Sequence, residues 1–355
     1  MAEKVLMKGN EAIAEAAILA GCKHYFGYPI TPQTEIAAYM AKKMPKIGGC
    51  FLQAESEVAA INMVYGVAST GKRVMTSSSS PGISLKSEGL SYMAGSDLPC
   101  LVVNVQRGGP GLGGIQPSQA DYFQATKGGG HGDFKMIVLA PASVQEMAEL
   151  TVKGFELADK YRMTSMILAD GTMGQMMEPV ELDFDVKERP ATPWATTGTK
   201  MEREHNIVNS LSLVAEELEQ LNFARYERYA QVEANEAMYE EYMTEDADII
   251  IAAFGIAARV SKNAIVEARK QGIKVGLIRP ITLWPFPKAP FEKIANTAKA
   301  VISVELSMGQ MIEDVKLATQ CKVPVTLCNR VGGMIPSPEQ VLEAIIEADK
   351  NGGAN

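Results

Sequence analysis

Features that mark several other classes of protein are missing from this sequence of 355 residues. No apolar run approaches the ~18 consecutive residues of a membrane-spanning helix, so no membrane segment is expected. The formal net charge is −8 and no basic run occurs, which disfavours nucleic acid and anionic membranes as partners. No apolar signal core follows the first four residues, so we expect a cytoplasmic protein.

Cysteine is also scarce, with 5 residues and no Cys-x-x-Cys pair. Most of them fall in apolar strand-like or helix-end segments, which predicts small buried thiols rather than zinc or iron–sulfur ligands. The cysteines are Cys22, Cys50, Cys100, Cys321 and Cys328. If electrons move in this system, this chain offers no evident cluster site to hold them.

The remaining composition, 46% hydrophobic and 21% charged, is that of an ordinary globular protein. The length suggests two domains of roughly 100–200 residues each. Over residues 1–190, short apolar strands alternate with helices, which predicts a parallel sheet covered on both faces. Residues 191–245 are polar and predict an exposed helical linker, and residues 246–355 predict a second α/β domain.

Residues 50–71 combine a short buried strand with an alanine-rich helix. Glu57 lies at the head of an apolar stripe that continues through Ile61, Val64 and Ala68. A carboxylate in this position is costly to bury unless a partner shares its charge. Either Glu57 only complements the positive end of its own helix, or it is placed to hydrogen-bond a ligand at the strand end.

Polar groups follow the other predicted strands, and ligands of parallel sheets bind beyond the carboxyl ends of the strands. We therefore expect residues 28–31, 55–57, 76–80 and Arg107 to meet at one rim. The planar guanidinium of Arg107 suits the capture of a carboxylate.

Two of these residues also have ordinary structural interpretations. Thr31 could simply cap the helix that is expected to start near Gln33. Arg107 could form an internal ion pair with Asp121 or Asp133. The sequence at this point leaves both alternatives open.

The segment 109–114 satisfies the pattern Gly-x-Gly-x-x-Gly after a strand. A dinucleotide site also needs a helix that opens at the last glycine, and Ile115-Gln116-Pro117 is a poor helix opening. We therefore interpret residues 108–134 as a mobile or partner-contacting loop rather than an NAD site. No Gly-x-Ser-x-Gly elbow is present, which disfavours a serine hydrolase.

Together these segments resemble the α-type subunit of the thiamine-diphosphate-dependent 2-oxoacid:ferredoxin oxidoreductases. The matching signatures occur in the right order along nearly the whole chain: Gly27–Pro32, Leu52–Ala60, Thr76–Gly82, Val103–Pro110 and Gln116–Asp121. The branched-chain, or 2-oxoisovalerate, type is the most similar, and the 2-oxoglutarate and pyruvate types remain alternatives. The implied fold is a parallel-sheet pyrimidine-binding domain followed by a transketolase C-terminal-like α/β domain.

The resemblance implies a role for each rim group. Glu57 falls on the family's catalytic glutamate, which hydrogen-bonds the pyrimidine ring of the cofactor. Thr31 and Arg107 match the residues that hold the carboxylate of the 2-oxoacid. The implied cofactor-binding residues are Tyr28, Pro29, Ile30, Glu57, Ser79 and Ser80.

The resemblance also implies a divided enzyme. The Gly-Asp-Gly…Asn motif that holds the diphosphate and Mg²⁺ in this family is missing, so a β-type subunit is expected to supply it, and no metal ligand is assigned here. Expected further partners are a γ subunit and a ferredoxin-like δ subunit with [4Fe–4S] clusters, with coenzyme A as co-substrate and ferredoxin as electron acceptor. An NAD-linked 2-oxoacid dehydrogenase, a transketolase-like subunit and a non-catalytic scaffold remain alternatives.

Overall fold

The structure is a computed structural model that describes residues 4–351, so the outer ends of the two expected domains, residues 1–3 and 352–355, lie outside the described part. Within that range the strands form one 7-stranded, one 5-stranded and one 2-stranded sheet. The strands are β1 (Lys4–Lys8), β2 (His24–Gly27), β3 (Cys50–Gln53), β4 (Met75–Ser78), β5 (Cys100–Gln106), β6 (Ile137–Leu139), β7 (Thr164–Asp170), β8 (Met177–Glu181), β9 (Tyr239–Tyr242), β10 (Ile249–Ala253), β11 (Val275–Pro280), β12 (Thr282–Trp284), β13 (Ala300–Glu305) and β14 (Val325–Asn329).

Helices cover both larger sheets. They are α1 (Gly9–Leu19), α2 (Thr34–Lys43), α3 (Glu57–Ser69), α4 (Pro81–Gly95), α5 (Tyr122–Thr126), α6 (Val144–Tyr161), α7 (Gly171–Gln175), α8 (Ala215–Asn235), α9 (Gly255–Lys270), α10 (Lys288–Ile294), α11 (Met311–Ala318) and α12 (Pro338–Asn351). Within residues 4–351, no helix is both long and apolar enough to cross a membrane.

The 7-stranded sheet has the order β12-β6-β7-β5-β4-β2-β3. Every neighbouring pair from β6 to β3 is parallel, which confirms the predicted parallel sheet. Strands β5 and β7 are buried along their whole length. Their near-continuous apolar sequences follow from this position, because helices cover both faces of a central parallel strand.

The 5-stranded sheet has the order β14-β13-β10-β11-β9. Its inner strands are parallel, as expected for a second α/β unit, and β9 joins its edge antiparallel to β11. Strand β9 of the expected linker, residues 191–245, thus belongs to this sheet. Helix α8 is the one helix of the linker and covers only part of it. The residue boundaries of the two domains stay a prediction.

Two pairings were not expected from the sequence. Strands β1 and β8 form an antiparallel ribbon. Strand β12, from the proline-rich connection of the second unit, pairs antiparallel with β6 at the edge of the first sheet. Strands β1, β8 and β12 are short and their partners are distant in sequence, so the local pattern carries no information about these pairings.

Part of residues 108–134 is bonded to the second unit, a contact that their interpretation as a mobile or partner-contacting loop did not include. The backbone N–H of Gln119 donates to the carbonyl of Leu306 at 3.0 Å, and Leu306 N–H donates back to Gln119 Oε1 at 3.0 Å. Buried Tyr122 donates to Asp314 Oδ2 at 2.5 Å. The exposed tip around Leu112, 84% accessible, remains available to a partner.

The cysteine prediction holds for two residues only. Cys22 and Cys100 are buried, and burial raises the pKa of each thiol to about 12, which keeps both protonated. Cys50 and Cys321 are exposed, because Cys50 starts an edge strand and Cys321 lies in the turn after α11. Within the described residues, no group of three or more His, Cys, Asp or Glu side chains is arranged to hold a metal ion.

Candidate active site at the carboxyl edge of the first sheet

Four neighbouring strands, β5, β4, β2 and β3, deliver the predicted rim groups to one edge of the first sheet. These strands are parallel, so the residues that follow them emerge at the same edge. Arg107 follows β5, the serine tract ends β4, Thr31 follows β2 and Glu57 follows β3. The expected convergence is observed, and the function of each group there stays a prediction.

Glu57 is the first residue of α3 and is only 5% exposed. The Ser56 hydroxyl caps this helix by accepting from Ala59 N–H at 3.1 Å, and the predicted apolar stripe along α3 is buried. No hydrogen bond to the Glu57 carboxylate is found within residues 4–351. Its position in the first turn is compatible with a favourable helix-dipole interaction, but its oxygens keep their capacity for a ligand.

Gly82, near the start of α4, sets the distance between this helix and Glu57. A Cβ atom at position 82 would lie 2.0 Å from Ser78 Oγ and 2.6 Å from Glu57 Oε1. Atoms cannot approach this closely, so a larger residue at position 82 would displace the side chains of Ser78 and Glu57, and glycine lets α4 begin directly beside the carboxylate.

We expect Gly82→Ala to destabilise the protein by about 1–3 kcal/mol, the usual cost of overpacking a tight site. Gly66→Ala is the matched control, because Gly66 lies on the exposed face of α3 and a Cβ there meets nothing within 4 Å. That variant should be neutral or more stable by up to about 1 kcal/mol. Urea unfolding measures both, and equal stabilities of the two variants would contradict the steric argument.

Arg107 is buried to 8% exposure and its guanidinium is held by backbone carbonyls. Nη1 donates to the Thr31 carbonyl at 2.9 Å and Nη2 donates to the Leu112 carbonyl at 3.1 Å. Nε has no partner. Within the described residues no carboxylate forms an ion pair with it, so the proposed pairing with Asp121 or Asp133 was wrong. Its positive charge is available at the rim.

Asp121 instead binds neutral groups. Its Oδ2 accepts from Ser80 Oγ at 2.6 Å and from Asn104 Nδ2 at 2.9 Å. Burial raises the pKa of the Asp121 carboxyl, and these two hydrogen bonds partly counter the effect. The Ser80 oxygen also accepts the backbone N–H of Arg107 at 3.0 Å, so Ser80 connects the turn after β4 to Arg107.

Thr31 does not cap a helix, because α2 begins at Thr34 with Gln33 before it and has no side-chain cap. The side chain of Thr31 is exposed at the rim, and its carbonyl holds Arg107. Of the other residues in this turn, Tyr28 and Pro29 are exposed and Ile30 is half-buried. All four therefore lie where a ligand or a partner chain could contact them.

The serine tract contains both engaged and unengaged hydroxyls. Ser77, in β4, bonds Tyr25 Oη at 2.7 Å and Gln33 Oε1 at 2.5 Å, which ties β4 to β2 and α2. By contrast, the hydroxyls of Thr76, Ser78 and Ser79 are buried without a hydrogen-bond partner. Buried hydroxyls are usually hydrogen-bonded in proteins, so these three can accept a water, an ion or a ligand group as a partner.

Lys86, on α4, was missed by the sequence analysis. Its side chain is fully buried, and its Nζ has no hydrogen-bond partner in the part of the chain that the structure describes. Burial lowers the pKa of this amine to about 8, although the negative charge of Glu57 acts in the opposite direction. A lysine in a surface helix ordinarily faces solvent. The one sequence signal for its burial is its place next to Leu85 and among small residues.

A cavity of about 620 Å³ opens beside Arg107. The first unit contributes polar groups to it, including Ser80 and Asp121, while Leu306, Met308 and Val331 of the second unit add apolar surface. A larger cleft of about 890 Å³ lies elsewhere around Arg279, but Glu146 and Glu240 already neutralise that arginine at 2.7 and 2.6 Å. The cavity at Arg107 is therefore the better candidate for a substrate.

The glycine-rich segment 109–114 does not open a helix. The next helix, α5, begins only at Tyr122, after the bridge between Arg107 and Pro117. A dinucleotide pyrophosphate would have no helix N-terminus to face here, in agreement with the sequence-based rejection of this motif.

Residues 15–244 match the family model described as pyruvate flavodoxin/ferredoxin oxidoreductase, thiamine-diphosphate-binding. The chain belongs to this family. Residues 247–341 match a second model, described as pyruvate:ferredoxin oxidoreductase core domain II. The first match covers most of the unit with the 7-stranded sheet, and the second covers most of the unit with the 5-stranded sheet.

Curated relatives within this oxidoreductase family align over almost the whole chain. Ketoisovalerate oxidoreductase subunit VorB of Methanothermobacter marburgensis is 53% identical over 343 residues, covering 96% of this chain and 97% of the relative. The 2-oxoglutarate synthase subunit KorA of Methanocaldococcus jannaschii is 35% identical, covering 96% and 98%. The chain is therefore more similar to the first of these two subunits.

Solved structures agree with the family assignment. The 2-oxoglutarate:ferredoxin oxidoreductase from Magnetococcus marinus, with 2-oxoglutarate, coenzyme A and succinyl-CoA bound, superimposes with a TM-score of 0.86 at 30% identity. The match covers 98% of this chain but 65% of that one. An inactive β4 tetramer of a split-gene transketolase, at 14% identity and a TM-score of 0.62, shows the shared fold alone.

Proposed function

We propose that this chain is the α-type subunit of a branched-chain 2-oxoacid:ferredoxin oxidoreductase. The reaction is the oxidative decarboxylation of 3-methyl-2-oxobutanoate to its acyl-CoA, with the electrons passed to ferredoxin. The carrying observation is the buried Glu57 carboxylate, which accepts no hydrogen bond within residues 4–351, at the same sheet edge as the Arg107 guanidinium, which there donates to backbone carbonyls and to no carboxylate. The 53% identity to a ketoisovalerate oxidoreductase subunit supports the substrate class.

The residues at this edge fit the pyrimidine half of thiamine diphosphate. An aminopyrimidine is a flat ring that presents nitrogen donors and acceptors, and here a free carboxylate, unsatisfied hydroxyls and a close glycine adjoin one another. When bound, the cofactor supplies the carbon nucleophile that attacks the keto carbon of the substrate. The residues that would hold the ring are Tyr28, Pro29, Ile30, Glu57, Ser79 and Ser80.

Glu57 has the acid–base role in this proposal. Its carboxylate would hold a proton shared with the ring nitrogen, which is favourable because the site is shielded from water. The rigid cap at Ser56 and the close contact with Gly82 fix the position of the carboxylate before any ligand arrives. Of the two predicted serines, Ser79 has a free hydroxyl, whereas Ser80 acts through Arg107 and Asp121.

Arg107 and Thr31 would bind the carboxylate of the 2-oxoacid. An arginine side chain has five N–H donors, and carbonyl groups engage only two of the nitrogens here. The remaining donors can reach a carboxylate in the cavity of about 620 Å³. Its apolar wall of Leu306, Met308 and Val331 suits a branched aliphatic side chain, and Asp121 disfavours the second carboxylate of 2-oxoglutarate.

The complete enzyme in this proposal is a cytoplasmic hetero-oligomer. A β-type subunit supplies the diphosphate and Mg²⁺ site, and γ and ferredoxin-like δ subunits complete the assembly, with [4Fe–4S] clusters in the partner subunits. Coenzyme A accepts the acyl group. This chain alone is expected to be inactive.

The test is copurification of the chain with the products of neighbouring genes, followed by assays of several 2-oxoacids. We expect reduction of a viologen dye that depends on thiamine diphosphate and coenzyme A, with kcat/KM highest for 3-methyl-2-oxobutanoate. A higher kcat/KM for 2-oxoglutarate or pyruvate would move the assignment to those types. Reduction of NAD instead of the dye would indicate a dehydrogenase of another class.

A further inference from the structure

The seam between α3 and α4 contains a charged residue. Gly82, Lys86 and Gly89 lie on one face of α4, since they are four and three residues apart. A Cβ at Gly82 would touch Glu57 Oε1, and a Cβ at Gly89 would lie 2.5 Å from Ile61 Cγ2. Ile61 is one turn beyond Glu57 on α3, so the helices run side by side, and Lys86 lies between the two glycines on the face of α4 that makes these contacts.

The polarity of α4 is inverted at this point. Lys86 is fully buried, while its neighbour Leu85 is 53% exposed. A helix that packs only for stability would place the leucine inside and the lysine outside. Such violations of the pattern occur mainly at functional sites, where a stability cost is tolerated.

Few groups on the surrounding elements can balance the Lys86 ammonium. Strand β4 presents only neutral hydroxyls. Ser78 faces α4, and Thr76 lies on the same side because side chains alternate along a strand. Neither hydroxyl has a hydrogen-bond partner within the described residues. The acid of β7, Asp170, caps α7 by accepting from Thr172 N–H at 2.8 Å. On α3 the facing charge is Glu57, whose negative charge raises the pKa of Lys86 against the effect of burial.

We propose that Lys86 is a positioning residue whose ammonium is the counter-charge of the Glu57 carboxylate in the buried site, in place before the cofactor binds. A carboxylate without a counter-charge would be costly to bury in this position. The pairing acts through space and requires no direct hydrogen bond. The part about cofactor binding rests on the proposed function, whereas the coupling of the two charges does not.

The coupling can be measured on the full chain without cofactor, in a double-mutant cycle of Glu57→Gln and Lys86→Met. Each single variant leaves one buried charge alone, whereas the double variant leaves none. We expect the midpoint of thermal unfolding of the double variant to lie about 3–6 °C above the value that the two single shifts predict by addition. Additive shifts would overturn the proposal. If Lys86→Met alone does not fold, recovery of folded protein on adding Glu57→Gln supports it, and no recovery overturns it.

A pH series separates this coupling from simple packing. The pKa of Lys86, about 8, lies below its usual value of 10.5, so the unfolded chain binds more protons between these values. Stability relative to Lys86→Met therefore rises with pH across this window. In the Glu57→Gln background the rise should begin about one pH unit lower, because the charge that raises the Lys86 pKa is gone. The same onset in both backgrounds would show that Lys86 is not coupled to Glu57.

These measurements are independent of turnover. If the double-mutant cycle is non-additive but the complex has another activity, the charge pair is supported and only the proposed function is refuted. An additive cycle in an active complex would refute the role of Lys86 alone.

Discussion

Replacing Glu57 by glutamine is expected to lower turnover of the assembled complex by about 10²–10⁴-fold, the range usually lost with a general acid–base group. Glutamine has nearly the same shape and fills the same space beside Gly82. It cannot exchange a proton with the cofactor ring, so the chemistry is lost while the packing is retained. Steady-state assays with 3-methyl-2-oxobutanoate and a viologen dye measure the effect.

The chain offers a matched control for this substitution. Glu55 precedes the same helix by two residues but is exposed and lies off the apolar stripe. Glu55→Gln should retain normal turnover, and size-exclusion chromatography should show the same assembly for both variants. Normal activity of Glu57→Gln in an intact complex would remove Glu57 from the mechanism.

Replacing Arg107 by alanine is expected to raise the KM for the 2-oxoacid and to lower kcat/KM by about 10–100-fold. This range corresponds to the ~1.5–3 kcal/mol of a hydrogen bond to a charged group. Arg107→Lys should recover only part of the loss, because a lysine keeps the charge but not the planar fork. Initial-rate kinetics over a range of substrate concentrations give both constants.

The control for Arg107 must separate substrate binding from loop structure, because the guanidinium also holds the carbonyls of Thr31 and Leu112. Arg203 is an exposed arginine that likewise donates to carbonyls of its own loop, at Glu204 and Gly198. Arg203→Ala should leave kcat/KM unchanged. An unchanged kcat/KM for Arg107→Ala would count against binding of the substrate carboxylate.

A non-catalytic scaffold is the alternative that these two experiments address most directly. A scaffold would tolerate both Glu57→Gln and Arg107→Ala, provided that assembly is retained. The geometry argues against it, because unsatisfied polar groups reduce stability and serve no purpose in a scaffold.

The sequence by itself was sufficient for the parallel sheet and for the shared edge of the rim groups. Strand and helix periodicity is local, and parallel strands bring their carboxyl ends together whatever the details of packing. The buried stripe behind Glu57 follows from the same helical spacing. Ordered motifs along the chain were enough to indicate the family that residues 15–244 match.

Only the tertiary structure decided which polar groups are already engaged. Asp121 was expected near Arg107 but binds Ser80 and Asn104, and Thr31 contributes its carbonyl to Arg107 rather than a helix cap. Such hydrogen bonds depend on side-chain positions within about an ångström, which spacing along the chain does not specify.

The burial of Lys86 was likewise decided by packing between two helices. Its neighbours in sequence predict a solvated lysine, and only the glycine contacts that draw α4 against α3 bury it on the face of α4 that meets Glu57. Local pattern determines which elements form and which edge carries the chemistry. The charges that share that edge are set by how closely distant segments pack, because burial and electrostatic coupling are properties of the assembled core.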